Sequence, residues 1–214
     1  MKMIVCRRRR NAVNTAKPLQ KLTLVVTALA LPLLLAQSAK ATIYGYTVHL
    51  DGPTEGTPSL GVGNGQVQYD NVLHTLFIGG SFSGLTGTTT ASHIHASTGV
   101  PFGGTAGVAT MTPSFSGFPL GVTSGTFTNT YDLTLSGSWN STFITANGGS
   151  PATAEVALFN AMQAGMAYWN IHSTQNTGGE IRGFLTPIPE PSAIALAGGA
   201  GAAFLAWRRR GKKQ

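Results

Sequence analysis

The interior of the chain, residues 42–187, is rich in glycine and poor in charge, and this combination restricts the fold most. It holds 24 of the chain's 28 glycines, interleaved with Thr, Ser and short alternations of apolar and polar residues. Glycine weakens helix interiors and suits tight turns, while alternation with a period of two is typical of strands with one buried face. The interior is therefore predicted to be all-β, an antiparallel β-sandwich with many turns.

Individual strands are predicted from alternation and from β-forming residues. Val67 and Tyr69 share one face of a strand, as do Leu76 and Ile78. Residues 70–74 are predicted to be a hairpin connection, because the Asp and Asn at its start tolerate turn geometry. The predicted strands lie at 43–50, near 67–69 and 75–78, and at 91–96, 107–111, 125–135, 167–172 and 180–185.

One segment has helical spacing. Ser150 is a predicted N-cap, Pro151 suits the first turn, and Gly165 is the predicted stop. We expect a single short helix that crosses over the sandwich and covers its core. Its predicted core-facing side chains are Val156, Phe159 and Met162.

The net charge of +7 comes from the two ends of the chain. Eight of the 14 basic residues lie in 1–41, five lie in 208–213, and Arg182 is the only one between them. Residues 42–187 carry six acidic residues, so their balance is 1 − 6 = −5. Nucleic-acid binding is excluded as a leading function, because it needs clustered Lys and Arg on the folded surface.

Residues 1–41 have the three parts of an export signal: a basic stretch, an apolar run at 22–36 and a small-residue site at Ala39-Lys40-Ala41. We predict a signal peptide of the general secretory route, which signal peptidase cleaves after Ala41. A retained anchor is the alternative, although the apolar run would reach only about 22 Å as a helix, short of the roughly 30 Å hydrocarbon core. Cleavage removes Cys6, the one cysteine of the chain, so no disulfide is expected.

The C-terminal segment, 188–214, also has three parts. Pro189-Glu190-Pro191 is followed by an apolar stretch at 192–207 and a basic cluster at 208–213. On physical grounds this is a transmembrane helix held by the positive-inside rule, and a plain membrane anchor is one interpretation. The tripartite order resembles the PEP-CTERM sorting signal of bacteria with exopolysaccharide systems. The resemblance implies that an exosortase recognises Pro189, Glu190 and Pro191 at the inner membrane and releases the protein to the cell surface or matrix.

Three histidines are candidate metal ligands. His93 and His95 are two residues apart on a predicted strand, so their side chains point the same way. If the strand that ends at His172 is a neighbour, the three imidazoles form a site suited to copper or zinc. The alternative is that these histidines bond to loop carbonyls and fix a polar corner of the fold. His49 and His74 are interpreted as ordinary surface or turn residues.

Arg182 is the one basic side chain of the interior and lies two residues from Glu180. We expect it to pair with a carboxylate, with the bidentate geometry favoured, and anion binding is the alternative. The interior contains no Gly-x-Ser-x-Gly elbow, no P-loop and no defensible pair of catalytic carboxylates. No enzymatic activity is therefore expected.

Three strings together resemble the CHRD domain, first described as a repeat in the animal protein chordin. They are Ser92-His93-Ile94-His95, then Asn170-Ile171-His172, then Glu180-Ile181-Arg182-Gly183. The resemblance spans roughly 43–186 and implies an extracellular module. The histidine pair is also similar to a metal-binding strand of copper/zinc superoxide dismutases, but the disulfide and zinc loop of those enzymes are missing here. The family-motif residues are His93, His95, Asn170, His172, Glu180 and Arg182.

These observations predict three segments: a signal peptide at 1–41, a CHRD-like domain at 42–187 and a sorting segment at 188–214. We expect an exported, non-enzymatic structural or adhesive component of the cell surface, biofilm or exopolysaccharide matrix, with no cofactor. Exosortase and signal peptidase are the expected processing partners, with exopolysaccharide as a candidate ligand and nucleic acid excluded. The alternative is a secreted domain that binds copper or zinc through His93, His95 and His172.

Overall fold

The structure is a computed structural model that describes residues 42–189. The predicted signal cleavage site at Ala39 and Ala41, together with Glu190, Pro191 and the predicted sorting helix, lies outside the described residues. Within residues 42–189, no helix is long and apolar enough to cross a membrane.

The domain consists of eight strands, three helices and one 3₁₀ turn in the described part of the chain. Strands β1 to β5 precede the long helix in the chain, and strands β6 to β8 follow it. In chain order the elements are β1 Ile43–Asp51, α1 Gly52–Glu55, β2 Val62–Asp70, β3 Thr75–Ser83, β4 Thr89–His95, β5 Gly125–Asp132, a 3₁₀ turn at Ser136–Ser138, α2 Ser141–Ala146, α3 Pro151–Gln163, β6 Tyr168–Ser173, β7 Ile181–Phe184 and β8 Thr186–Pro187.

The strands form one antiparallel sheet in the order β4-β6-β7-β1-β2-β3-β5, with β8 paired to β1. The prediction of a mostly β, antiparallel fold is confirmed, but the strands belong to one curled sheet and not to the two separate sheets of a sandwich. The curl is visible at Trp169 on β6. A Cβ at Gly65 on β2 would collide with its indole ring, and one at Gly80 on β3 would lie 3.2 Å from it. A flat sheet would separate β6 and β3 by about 19 Å, four strand spacings, so the sheet must curl.

The core lies inside this curl. Alternation places Tyr46, Val48 and Leu50 of β1 inward, and their neighbours Thr47 and His49 outward. The inward side chains of β2, β3, β6 and β7 complete the core, with Val67, Leu76, Ile78, Ile171 and Ile181 all nearly inaccessible to solvent. Alternation in the sequence therefore identifies the buried face of the central strands correctly.

The predicted helix is present as α3. Ser150 caps it through a capping box with Thr153, and Pro151 occupies its first position. Met162 is buried as expected, but Val156 is 59% exposed. The prediction of a single helix is wrong, because α1 and α2 are also present. Both are too short to show a helical period in the sequence.

The predicted strand at 107–111 is not a strand. This segment runs beside β4, but it makes only the isolated bridges His95–Val108 and Thr110–Trp139. The Thr110 hydroxyl accepts a hydrogen bond from the backbone N–H of Ile94, and the Ser114 hydroxyl accepts one from the backbone N–H of Ser92. Because hydroxyl groups replace backbone carbonyls here, a regular ladder does not form.

Of two further predictions, one is confirmed and one has a different boundary. The hairpin at 70–74 is confirmed, since Asp70 pairs with Thr75 and its carboxylate accepts the amides of Val72 and Leu73. Strand β5, however, ends at Asp132 and not at residue 135. The Asp132 carboxylate accepts the amide of Thr134, which turns the chain.

Candidate metal centre

The three candidate histidines lie on one face of two neighbouring strands. β4 and β6 pair antiparallel, with Ala91 opposite His172 and His93 opposite Asn170. Residues two apart on a strand point to the same side, so His93, His95 and His172 all face away from the core, opposite Ile94. The condition attached to the predicted site, that the two strands are neighbours, is met.

Each histidine uses one ring nitrogen to donate a hydrogen bond to a backbone carbonyl. A carbonyl oxygen can only accept, so the ring nitrogen facing it must carry the proton. The three pairs are His93 Nε2 to Pro113 O at 2.7 Å, His95 Nδ1 to Ala106 O at 2.9 Å and His172 Nδ1 to Thr177 O at 2.9 Å. The carbonyls come from the loops after β4 and β6, and together they determine the tautomer of every ring.

The remaining ring nitrogens converge. They are Nδ1 of His93, Nε2 of His95 and Nε2 of His172, and the ligand atoms of the three residues all lie within 4.8 Å of one another. The His93 and His172 nitrogens are 3.3 Å apart. Nε2 of His95 is buried and has no hydrogen-bond partner within the described residues. Three imidazole lone pairs therefore point into one small space.

The rings are held neutral. Burial lowers the pKa of His93 to about 4, and the carbonyl of Pro113 opposes this only in part. Burial likewise lowers the pKa of His95 to about 4, although the hydrogen bond to the carbonyl of Ala106 opposes this shift. The pKa of His172 is also lowered, mainly by burial. At neutral pH each ring therefore has one proton, on the nitrogen that faces the carbonyl, and one free lone pair.

This arrangement fits a transition metal. Zinc binds imidazole nitrogen at roughly 2.0–2.1 Å, so two ligand nitrogens on one tetrahedral ion are about 3.3 Å apart. The His93 and His172 nitrogens already have this separation. Hydrogen bonds from the outer ring N–H groups to backbone carbonyls are a common way in which proteins orient histidine ligands.

Aromatic and charged side chains surround the triad. The ring of Tyr168 stacks on His95 with centroids 4.9 Å apart and an interplanar angle of 11°. On β7, the guanidinium of Arg182 lies over the Tyr168 ring, 4.8 Å from its centroid. Stacking of this kind limits the movement of His95, because its ring is held between Tyr168 and the bond to Ala106.

Arg182 pairs with a carboxylate, as expected, but the partner is Glu55 of α1. Its Nε lies 3.4 Å from Glu55 Oε2 and donates to the carbonyl of Thr54 at 2.7 Å. The favoured bidentate geometry is not formed. Glu55 was not singled out from the sequence, since nothing in the spacing of residues 55 and 182 brings them together.

Glu180 has a separate role. Its carboxylate is completely buried. Burial alone would raise its pKa, but hydrogen bonds from hydroxyl and amide groups lower the pKa to about 2. Its donors are the hydroxyls of Ser59, Thr86 and Ser173 and the amides of Thr86 and Gly87. Glu180 therefore holds together two loops and the end of β6, and it does not belong to the triad.

The remaining candidate residues have structural surroundings of their own. Asn170 lies between His93 and Arg182 in the sheet register and is almost fully buried. His49 is exposed, and its Nδ1 lies 2.9 Å from Asn64 Oδ1. His74, expected to be an ordinary turn residue, contacts the buried Glu155 with Nδ1 at 2.9 Å from Oε1.

Pro189 of the predicted sorting motif lines a surface cavity, and the other two residues of the motif lie outside the described range.

Comparison with known proteins gives two family matches. A model described as the CHRD domain matches residues 46–185, and one described as the PEP-CTERM protein-sorting motif matches residues 187–210. No curated protein and no solved structure matches the chain. The motif implies an exported, membrane-sorted surface protein that an exosortase processes. The first match covers more than half of the 214 residues, including both histidine-bearing strands, and the chain therefore belongs to the CHRD domain family.

Proposed function

We propose that the CHRD domain of this exported protein is a binding module for a copper or zinc ion, held by His93, His95 and His172. The observation that carries the proposal is the convergence of three imidazole lone pairs on one space, with the opposite nitrogen of every ring bonded to a backbone carbonyl. Imidazole nitrogen is a ligand that suits zinc and copper, while magnesium and calcium prefer oxygen.

The alternative interpretation, a polar corner held by hydrogen bonds, leaves one contact without an explanation. A neutral imidazole has one N–H, and both His93 and His172 direct theirs to a carbonyl. No proton is then available between His93 Nδ1 and His172 Nε2, which are 3.3 Å apart. A protonated ring would supply one, but burial lowers the pKa of both rings. A metal ion between the two nitrogens turns this repulsive contact into a favourable one.

The residues of the chain have distinct roles in this proposal. Pro113, Ala106 and Thr177 hold the proton on the outer nitrogen of each ring, so that the inner nitrogen is ready to bind. Tyr168 positions His95 by stacking. Three protein ligands leave one position of a tetrahedral ion for water or another ligand.

A binding role is favoured over a catalytic one. Arg182, the charged side chain that acts on His95, is paired with Glu55. A general acid or base must be able to exchange its proton with a substrate, and these two groups are already engaged. An adhesive role is compatible with metal binding, because it would use a different surface of the domain.

Elemental analysis tests the metal proposal. The protein would be purified after expression of the full chain, stripped with a chelator, reloaded with Cu²⁺ or Zn²⁺ and freed of excess metal. About one ion per chain is expected in the wild type. The variant H93Q/H172Q should lose at least tenfold in affinity, because it removes two of three ligands.

The matched control is H49Q/H74Q, which removes two histidines outside the triad. It should retain metal at the wild-type level. The proposal is overturned if the reloaded wild-type protein holds no stoichiometric metal, or if both double variants behave alike. Circular dichroism of each variant shows whether it is folded, and the single variant H172Q, whose ring is partly exposed, provides a second test if the double variant does not fold.

A further inference from the structure

We propose that the solvent-facing side of β1, β2, β3 and β5 binds a neutral polysaccharide chain. This surface, called the polar face here, lies away from the histidine triad, which is on β4 and β6. Its side chains are those that the strand alternation turns away from the core. Away from the strand ends, where Ile43, Asp51, Val62, Asp70 and Asp132 also face outward, the polar face comprises Thr47, His49, Asn64, Gln66, Gln68, Phe77, Ser81, Thr126, Thr128 and Thr130.

The sheet register arranges this surface in three rows that cross four strands. The central row is Thr47, Gln66, Gly79 and Thr128. The rows on either side are His49, Asn64, Ser81 and Thr126, and Gly45, Gln68, Phe77 and Thr130. The positions are occupied almost entirely by hydroxyl, carboxamide and glycine residues. A linear polymer lying parallel to the strands would meet such groups in every row.

These polar groups are free to bind a ligand. Among the described residues, no side-chain hydrogen bond involves Thr47, Gln66, Gln68, Ser81, Thr126 or Thr128. A carboxamide offers two donors and an acceptor, and a hydroxyl offers one donor and two acceptor lone pairs. Because a sugar ring also presents hydroxyl groups that both donate and accept, the chemistry of the two surfaces is complementary.

The central row forms the floor of a groove. A cavity of about 440 Å³ is lined by residues that include Thr47, Gln66, Phe77, Gly79 and Thr128. A neighbouring cavity of about 430 Å³ shares Asn64 with it and extends along the sheet past Ser81 and Thr126. The two volumes follow each other across the polar face. A groove of this kind suits an extended chain better than a compact ligand.

Glycine and an aromatic ring shape the floor. The ring of Phe77 lies against Gly79, where a Cβ would be 2.8 Å from Cζ of the phenylalanine. Phe77 is only partly buried, so part of the ring is available to a ligand. An aromatic face can pack against the apolar C–H side of a sugar while the neighbouring amides bond to its hydroxyls.

The negative charge of the domain favours a neutral polymer over an anionic one. The described domain carries a balance of −5, and its one basic residue, Arg182, is buried under α1 on another part of the sheet. An anionic polymer would therefore be repelled. A protein partner is disfavoured as well, since protein interfaces are rich in exposed aromatic residues and Arg, and the polar face offers one partly buried ring.

Affinity electrophoresis in native gels tests this proposal. The protein purified after expression of the full chain would be run through gels that contain soluble neutral polysaccharides, namely a β-glucan, a xylan and a mannan, and through a gel with alginate as the anionic comparison. At least one neutral polymer should retard the wild type, and alginate should not. The variant Q66A/T128A should have about a tenfold higher dissociation constant, the cost of two lost hydrogen bonds.

The matched control is T142A/Q175A, which removes the same two chemical groups from exposed positions elsewhere on the domain. It should bind like the wild type. The proposal is overturned if no neutral polysaccharide retards the wild type, if alginate retards it as strongly as the neutral polymers, or if the two double variants are equally affected. Metal content measured on the same samples keeps this outcome separate from that of the histidine site.

Discussion

Nδ1 of His93 and Nε2 of His172 lie 3.3 Å apart, and neither nitrogen carries a proton when both rings are neutral. Two lone pairs at this distance repel each other unless a cation lies between them. The backbone carbonyls that fix the two tautomers belong to loops on either side of the strands. The contact is unfavourable by itself, and under the proposed function a metal ion would make it favourable, with His95 as the third ligand.

Metal binding should raise the thermal stability of the protein. A ligand present at 100 times its dissociation constant stabilises the native state by about 2.7 kcal/mol, which corresponds to a rise in Tm of about 5–10 °C for a domain of this size. Differential scanning calorimetry with and without Zn²⁺ measures the shift. It should fall to about half or less in H172Q and persist in H49Q, and an equal shift in both variants would contradict the site.

The metal-free protein should lose stability as the pH falls from 6.5 towards 4. The pKa of His93 and that of His95 are about 4 in the folded state against an ordinary value of 6.5. The unfolded chain therefore binds more protons within this window, so the stabilising contribution is complete above pH 6.5 and is lost as pH drops through the window. Urea unfolding at pH 7 and pH 5 measures this loss.

The variant H93Q is the control for this pH dependence. It removes one of the groups with a lowered pKa, so the difference in unfolding free energy between pH 7 and pH 5 should become smaller. An unchanged difference would show that His93 titrates normally. Glu180 does not interfere, because its pKa of about 2 in the folded state, against 4.5 ordinarily, places its own loss of stability between pH 4.5 and pH 2.

Replacing Glu180 with Gln should destabilise the domain by about 2–4 kcal/mol. The carboxylate accepts hydrogen bonds from Ser59 and Thr86 at its Oε1 and from Gly87 at its Oε2. An amide group would turn a donor towards other donors in a fully buried place. Chemical denaturation measures the loss, and the exposed Asp132→Asn serves as the comparison, with an expected cost below about 1 kcal/mol. Equal costs for the two variants would show that the buried position of Glu180 does not matter.

Gly65→Ala should destabilise the domain by about 1–3 kcal/mol, because the added Cβ collides with the indole ring of Trp169. Gly137→Ala is the matched control, since nothing lies within 4 Å of its Cβ. A smaller ring should relieve the collision, so the double variant G65A/W169F is expected to show a favourable coupling energy of at least about 0.5 kcal/mol in a double-mutant cycle. Additive effects of the two substitutions would contradict the contact across the curled sheet.

Local features of the fold could be predicted well from the sequence. Asp70 at a hairpin turn and Ser150 at a helix start act through hydrogen bonds to residues two or three positions away, and such bonds depend on short stretches of chain. The same holds for alternation, which turns His93 and His95 to one side of their strand. The prediction of a strand at 107–111 is wrong because Thr110 and the following Ser114 interact through their hydroxyl groups with the edge of β4, a partner that is distant in sequence.

By itself, the sequence determined the mostly β class, the family motifs and the three histidines that can bind a metal, since these depend on composition and on near neighbours. Only the tertiary structure decided that β4 pairs with β6, that Arg182 meets Glu55 and not Glu180, and that Trp169 reaches Gly65. The physical reason is that strand order and sheet curl depend on the packing of the whole core. The histidine lone pairs converge only when that packing has brought the two strands and their loop carbonyls together.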